Sequence, residues 1–242
     1  MVQLRDYDEH APELYDTRYE KKPSERYDHE HWYPLIVAAI SRYCMEKVVL
    51  DAGCGTGVYT ELIARHASQT WGTDISQRML GFAKETRHGN INWKLADASH
   101  LPFMDETMDV AVCVGLFEYV EHASIVKEIR RVLKPGGIWI IECSNKNSAY
   151  KMVLRAGAWI LRRKYPWREP SYGEVIKLLR EHHFEVIESR MDDGLIWLPA
   201  FLDRRVGRAV YRYIEKLFRV FGKNPFSNGL FFVARKIESG QS

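Results

Sequence analysis

From Lys47 onward, short apolar runs alternate with stretches whose apolar residues recur every three or four positions. The first run, 47–50, predicts a strand, and Tyr59, Leu62, Ile63 and His66 continue as a helix. A second strand at 69–72 leads to Asp74, and Ser76 is placed to cap a helix carrying Met79, Leu80 and Ala83. Strands follow at 91–95 and 108–114, the latter apolar enough to be buried on both faces. Ile125, Ile129, Val132 and Leu133 give 124–133 helical spacing, and Lys134-Pro135-Gly136-Gly137 stops it. A fifth strand is predicted at 138–141, a helix at 171–182, and two further strands at 184–189 and 230–236.

Strands alternating with helices imply right-handed crossovers and an α/β, doubly wound parallel sheet. Ligands in such sheets sit at the carboxyl ends of the strands, near the switch in strand order. The stretch VVLDAGCGTG, Val48 to Gly57, places a glycine turn at such an end. Glycines at 53, 55 and 57 indicate a tight bend with close approach of a ligand. A dinucleotide site favours G-x-G-x-x-G, which this spacing lacks. Asp51, just ahead of the turn, would repel a phosphate but suit an ammonium. The pattern points to a nucleoside carrying an amino-acid group.

Composition narrows the class only modestly. The 242 residues are 46% hydrophobic and 28% charged, with a net charge of +3. Such values are ordinary for a soluble domain and give no argument for nucleic acid. Cys44, Cys54, Cys113 and Cys143 lack metal-type spacing and read as buried thiols in a reducing cytoplasm, Cys54 as a small filler of the turn. The start, MVQLRDYDEH, has no apolar core and is not expected to be a secretory signal. No apolar run nears the roughly 20 residues that span a bilayer. His29/His31 and His182/His183 lack a third ligand, so no metal is expected.

Four stretches in order carry a resemblance: VLDAGCGTG, GTDIS ending at Ser76, LADASHLPF from Leu95 to Phe103, and EIRRVLKPGG from Glu128 to Gly137. Together they resemble the motif series of the class I S-adenosylmethionine-dependent methyltransferases, in the small-molecule branch that includes quinone-biosynthesis enzymes. The resemblance implies a Rossmann-like sheet of seven strands, the last antiparallel, in a single domain. It implies a helical N-terminal lid (1–45), a cofactor-binding core (46–145), acceptor-cap insertions (146–170 and 195–225) and a last strand (226–236). The implied cofactor is S-adenosyl-L-methionine. Gly53, Gly55 and Gly57 would pass beneath its methionine moiety, whose ammonium Asp51 would orient. Asp74 would accept from the ribose hydroxyls, and Ile75 and Met79 would pack on the adenine. Asp97 would take the adenine amino group, and the Ala98 N–H a ring nitrogen. Val114, Gly115 and Leu116 would line the sulfonium end, with Tyr15 and Tyr19 closing from the lid.

Each residue also has a plainer reading. Asp74 could cap the following helix and Asp97 could head a turn. His122 is the candidate general base, since imidazole titrates near neutrality, or else a capping residue at a helix start. Two insertions, 150–167 and 195–223, mix basic and apolar side chains. In the second, Val206, Val210, Ile214, Leu217 and Phe221 form one helical stripe, and Arg204, Arg208, Arg212 and Lys216 another. Such a helix suits a membrane interface, or a lid packed on the sheet edge. The expectation is methyl transfer to a small or lipid-linked acceptor by in-line displacement, in the cytoplasm and with possible peripheral membrane contact. The alternatives are a nucleic-acid methyltransferase gripping phosphates and a non-catalytic S-adenosylmethionine-binding partner subunit.

Overall fold

The computed structural model describes residues 11–17, 23–165, 167–191 and 227–238. Two helices come first, α1 (Pro12–Asp16) and α2 (Pro23–Tyr43). An alternating series follows: β1 (Val48–Ala52), α3 (Val58–Ala64), β2 (Gln69–Asp74), α4 (Gln77–Thr86), β3 (Ile91–Leu95) and β4 (Met108–Val114). Then come α5 (His122–Val132), β5 (Leu133–Ser144), α6 (Ala149–Ile160), α7 (Tyr172–Glu181), β6 (Phe184–Arg190) and β7 (Gly229–Lys236).

The strands form one seven-stranded sheet in the order β3-β2-β1-β4-β5-β7-β6. Only β7 runs antiparallel to its neighbours, as expected. Alternation within the central strands explains the three layers. In β1, Leu50 and Ala52 face one core with Ile125 and Ile129 of α5. Val49 faces the other, with Trp32, Ile36 and Ile40 of α2 and Ile63 of α3. The same division separates Trp139 and Ile141 from Ile140 in β5, and Leu230 and Phe232 from Phe231 and Val233 in β7. A strand buried on both faces has no polar alternate positions to spare, hence the near-continuous apolar runs.

Local chemistry corrects two boundaries. The helix expected from Ser124 starts at His122, because the Glu121 carboxylate caps it, accepting from the Ala123 and Ser124 N–H groups at 3.2 and 2.7 Å. The Lys134–Gly137 stretch ends that helix but also lies inside β5. Leu133 pairs with Met108, and the register shifts before Ile138 meets Val110. The Lys134 ammonium anchors this irregularity on Asp109 at 2.8 Å.

The sheet order reverses between β1 and β4, so their carboxyl ends diverge and leave a crevice. Both the glycine turn and the loop after β4 open onto it.

Candidate functional site

Gly53, Gly55 and Gly57 all adopt positive φ, at 74°, 53° and 78°. Side chains are strained there, and a Cβ at Gly53 would also stand 2.7 Å from Leu116 Cδ1. The turn is sewn to the end of β2. Gly53 and Cys54 donate their N–H groups to the Thr73 carbonyl at 2.8 and 2.9 Å. Gly55 N–H donates to Asp74 Oδ2 at 2.8 Å, and Ser76 N–H to Asp74 Oδ1 at 2.9 Å. Asp74 thus does the local work of its plainer reading while facing the crevice.

That crevice holds a cavity of about 570 Å³. Gly53, Asp74 and Ile75 form one wall, with Tyr15 of α1 above them. Ala96 to Ser99, after β3, form a second wall, and Val114, Gly115 and Leu116, after β4, a third. Asp97 Oδ1 accepts from Ser99 N–H at 2.8 Å and from its hydroxyl at 2.5 Å, closing a short turn. Of the expected cofactor residues, Tyr15, Gly53, Asp74, Ile75, Asp97, Ala98, Val114, Gly115 and Leu116 are brought together. Tyr19 lies outside the described residues.

Four expected residues stand behind this surface. Gly55 and Gly57 shape the turn without lining the cavity. Met79 is buried at 1% exposure, so α4 presents Ile75 and not Met79 to the ligand space. Asp51 is 2% exposed and does not reach the cavity. Its place in the central strand turns its carboxylate towards α3, where the Thr60 hydroxyl donates to Oδ2 at 2.6 Å. Burial raises the Asp51 pKa to about 7, against the Thr60 hydrogen bond, with the nearby Asp74 charge adding to the rise. Asp51 braces the turn from below through Thr60 and does not line the cavity. The Cys54 thiol is pushed well up by burial and by both carboxylates, so it is no nucleophile.

His122 is also corrected. It faces a neighbouring cavity of about 450 Å³, with Lys146, Glu169 and Glu174. Its Nε2 lies 3.0 Å from the Phe117 carbonyl and 2.8 Å from that of Arg168. A nitrogen between two carbonyl oxygens is a donor, so Nε2 is engaged in holding structure. His122 ties the 167–170 segment to the loop after β4. His122→Ala is expected to leave S-adenosylhomocysteine affinity within about twofold and to lower stability by about 1 kcal/mol. Calorimetry and urea denaturation check both parts.

Further groups shape the site. Asp16 accepts from the Thr56 hydroxyl at 2.9 Å and pairs with Arg87, whose Nε donates to the Thr56 carbonyl at 2.9 Å. This cluster pins α1 over the glycine turn and sets Tyr15 at the cavity. Glu118 and Arg168 line the cavity beyond Leu116. Tyr119, edge-on to Trp167 with ring centres 5.2 Å apart, joins that end to the segment after α6. No group of three metal-ligating side chains occurs among the described residues.

Comparison with known proteins agrees with this geometry. Residues 50–141 match the family described as a methyltransferase domain. A ubiquinone biosynthesis O-methyltransferase of Coxiella burnetii is 29% identical over 135 residues, covering 54% of this chain and 58% of that protein. A demethylmenaquinone methyltransferase of Thermobifida fusca is 32% identical over 149 residues, covering 60% and 62%. The chain thus spans less than two thirds of the length of these relatives. Among solved structures, a methyltransferase from Haloferax volcanii, in complex with the Trm112 methyltransferase activator, superposes with a TM-score of 0.65 at 20% identity, covering 93% of this chain and 96% of that one. An S-adenosylmethionine-dependent methyltransferase from Mesorhizobium loti gives 0.63 at 17% identity, covering 85% and 97%. At those identities the superpositions establish the fold. Residues 50–141 thus match a methyltransferase domain, set in a chain that shares its fold with S-adenosylmethionine-dependent methyltransferases.

Proposed function

We propose that this protein transfers a methyl group from S-adenosylmethionine to a small or lipid-linked acceptor by in-line displacement. The observation that carries the reading is the meeting of the glycine turn, Asp74 and Asp97 on one cavity at the sheet's switch point. Their chemistry fits the cofactor. Asp74 would accept from the ribose hydroxyls, Asp97 from the adenine amino group, and the Ala98 N–H would serve a ring nitrogen. Ile75, 40% exposed at the cavity wall, offers an apolar face to the adenine. The turn at Gly53 leaves room for the methionine moiety, and Val114 to Leu116 border the sulfonium end.

When bound, the cofactor supplies a methyl carbon already activated by its sulfonium. The protein's part is alignment and exclusion of water. Tyr15, held by the Asp16 cluster, would close one side, and Leu116 and Val120 would offer apolar surface beside Glu118 and Arg168 at the other. Orientation of two bound reactants contributes on the order of 7–11 kcal/mol. Titration of the full chain with S-adenosylhomocysteine tests the reading. Saturable binding near one per chain supports it, and absence of binding refutes it.

A lipid-linked acceptor is favoured over a freely soluble one by α6. Trp159, Ile160 and Leu161 at its end are 81%, 69% and 67% exposed, followed by exposed Arg162, Arg163 and Lys164. Lys151 and Arg155, by contrast, pair with buried Glu169 at 3.1 and 3.5 Å, fixing the helix base to the domain. An aromatic-apolar tip beside three cations suits an anionic lipid surface, each cation contributing about 1 kcal/mol. The second basic stretch, 195–223, lies outside the described residues. Flotation with anionic vesicles should recover the wild-type chain at low salt, and Trp159→Ala/Ile160→Ala should remain in the soluble fraction. Equal distribution of both proteins refutes the contact.

A further inference from the structure

Glu128 and Arg131 stand about one turn apart on α5 and pair there. Arg131 Nε donates to Glu128 Oε2 at 3.0 Å and Nη2 to Oε1 at 2.5 Å. The remaining donors of the guanidinium leave the helix. Nη1 donates to the Phe103 carbonyl and to Asp105 Oδ1, each at 2.7 Å, and Nη2 to the Leu101 carbonyl at 2.9 Å. Glu128 Oε1 accepts the Leu101 N–H at 2.6 Å. Both backbone groups of Leu101 are therefore held by one ion pair, and every N–H of the guanidinium has an acceptor. A planar fork fixes its partners in direction as well as in distance. Neither Glu128 nor Arg131 lines the cofactor cavity.

What the pair holds does line it. Leu101 follows directly on the short turn in which the Asp97 carbonyl accepts the His100 N–H at 2.9 Å. That turn places Asp97, Ala98 and Ser99 on the cavity wall. Its other end is fastened to β2, where the Ala96 N–H donates to the Asp74 carbonyl at 2.9 Å. The wall thus hangs between two anchors, β2 and the Glu128–Arg131 pair. We propose that Arg131 and Glu128 are positioning residues for the base of the cofactor, and that they make the cavity selective for a purine bearing an amino group. The inference rests on the reading that Asp97 receives that amino group and the Ala98 N–H a ring nitrogen, and deepens it by naming what sets both. Hydrogen bonds weaken steeply once bent, and a misplacement of about 1 Å in an aligned site costs on the order of 10²-fold. A carbonyl in place of the amino group meets Asp97 acceptor to acceptor. The site rejects it only as far as Asp97 is held in place. Release of the Leu101 anchor loosens that discrimination, while the anchor on β2 keeps the proposed ribose end.

The test is calorimetric titration of the full chain with S-adenosylhomocysteine and, by displacement, with S-inosylhomocysteine, whose base carries a carbonyl instead of the amino group. Arg131→Lys keeps the charge and loses the fork, and Glu128→Ala removes the acceptor of the Leu101 N–H. Wild type should bind the adenine ligand at least about 30-fold more tightly than the inosine ligand, and each variant less than about 5-fold more tightly. Affinity for the inosine ligand should stay within about threefold of wild type in both variants. A pair that served stability alone would lower the folded fraction, and with it the stoichiometry, without moving the ratio. The ratio is read on the folded fraction, so partial unfolding of a variant leaves it decisive. A wild-type ratio in either variant, or an equal loss of affinity for both ligands, overturns the proposal. Equal binding of the two ligands by wild type overturns the Asp97 assignment and this inference with it. Failure of wild type to bind S-adenosylhomocysteine overturns the methyltransferase reading itself.

Discussion

Asp74→Ala should lower the affinity for S-adenosylhomocysteine by at least about 100-fold, close to 3 kcal/mol. The carboxylate has two duties. It accepts the N–H groups of Gly55 and Ser76, which hold the glycine turn against β2 and start α4. It also faces the cavity where the ribose hydroxyls are proposed to bind. Hydrogen bonds to a charged acceptor are worth about 1.5–3 kcal/mol each, so loss of either duty is measurable. Asp74→Asn separates them. Its side-chain oxygen still accepts one backbone N–H, while its amide donates where the ligand also donates. Asn should therefore restore much of the melting temperature lost by Ala without restoring affinity. Calorimetry with both variants checks this, and wild-type affinity in Asp74→Ala contradicts the assignment.

Asp51→Asn should make the protein more stable at pH 8 and leave stability little changed at pH 4. Burial raises the native Asp51 pKa to about 7 from 3.8. Between those limits the folded chain holds a proton that the unfolded chain has released. Stability therefore falls as pH rises through this window, because the native state binds more protons. A shift of about three units corresponds to an upper bound near 4 kcal/mol. Asparagine removes the titration and still accepts from the Thr60 hydroxyl. Urea unfolding at pH 4, 6 and 8 should show the variant's stability advantage over wild type growing stepwise with pH. Parallel curves for the two proteins contradict an elevated native pKa.

The contrast between these two aspartates also shows what local pattern conveys. Both end strands beside a glycine turn, and sequence placed both at a ligand. Asp74, the last residue of β2, emerges into the crevice, whereas Asp51, one residue from the end of β1, remains inside the sheet–helix layer. The difference is one of depth along the same face: Asp51 pairs with Gly72, two residues short of Asp74. Strands with their own strong apolar signal were legible to the residue, as at Ile91–Leu95 and Met108–Val114. The start of α5 was misplaced because its cap is a glutamate, a residue with weak capping preference. The start of β5 was misplaced because Pro135 and two glycines read as an ending.

The long-range bonds of Asp16 and Glu118 were not legible for a different reason. Asp16 acts through Thr56, 40 positions away, and Arg87, 71 positions away. Glu118 is defined by a bond to Ser144, 26 positions on. No local periodicity encodes such pairings; they exist only once the sheet has formed. His122 shows the converse, since its residue type suited catalysis and its two carbonyl neighbours do not.

The most direct test of the central claim is methyl transfer itself. The full chain would be incubated with S-adenosylmethionine labelled in its methyl group and with fractionated cell extract, lipid fractions included. The account predicts label in an extractable acceptor, strongest in the lipid fractions and dependent on Asp74. Binding of S-adenosylhomocysteine with no label transferred in any fraction would contradict it, and would make the chain a cofactor-binding protein without turnover.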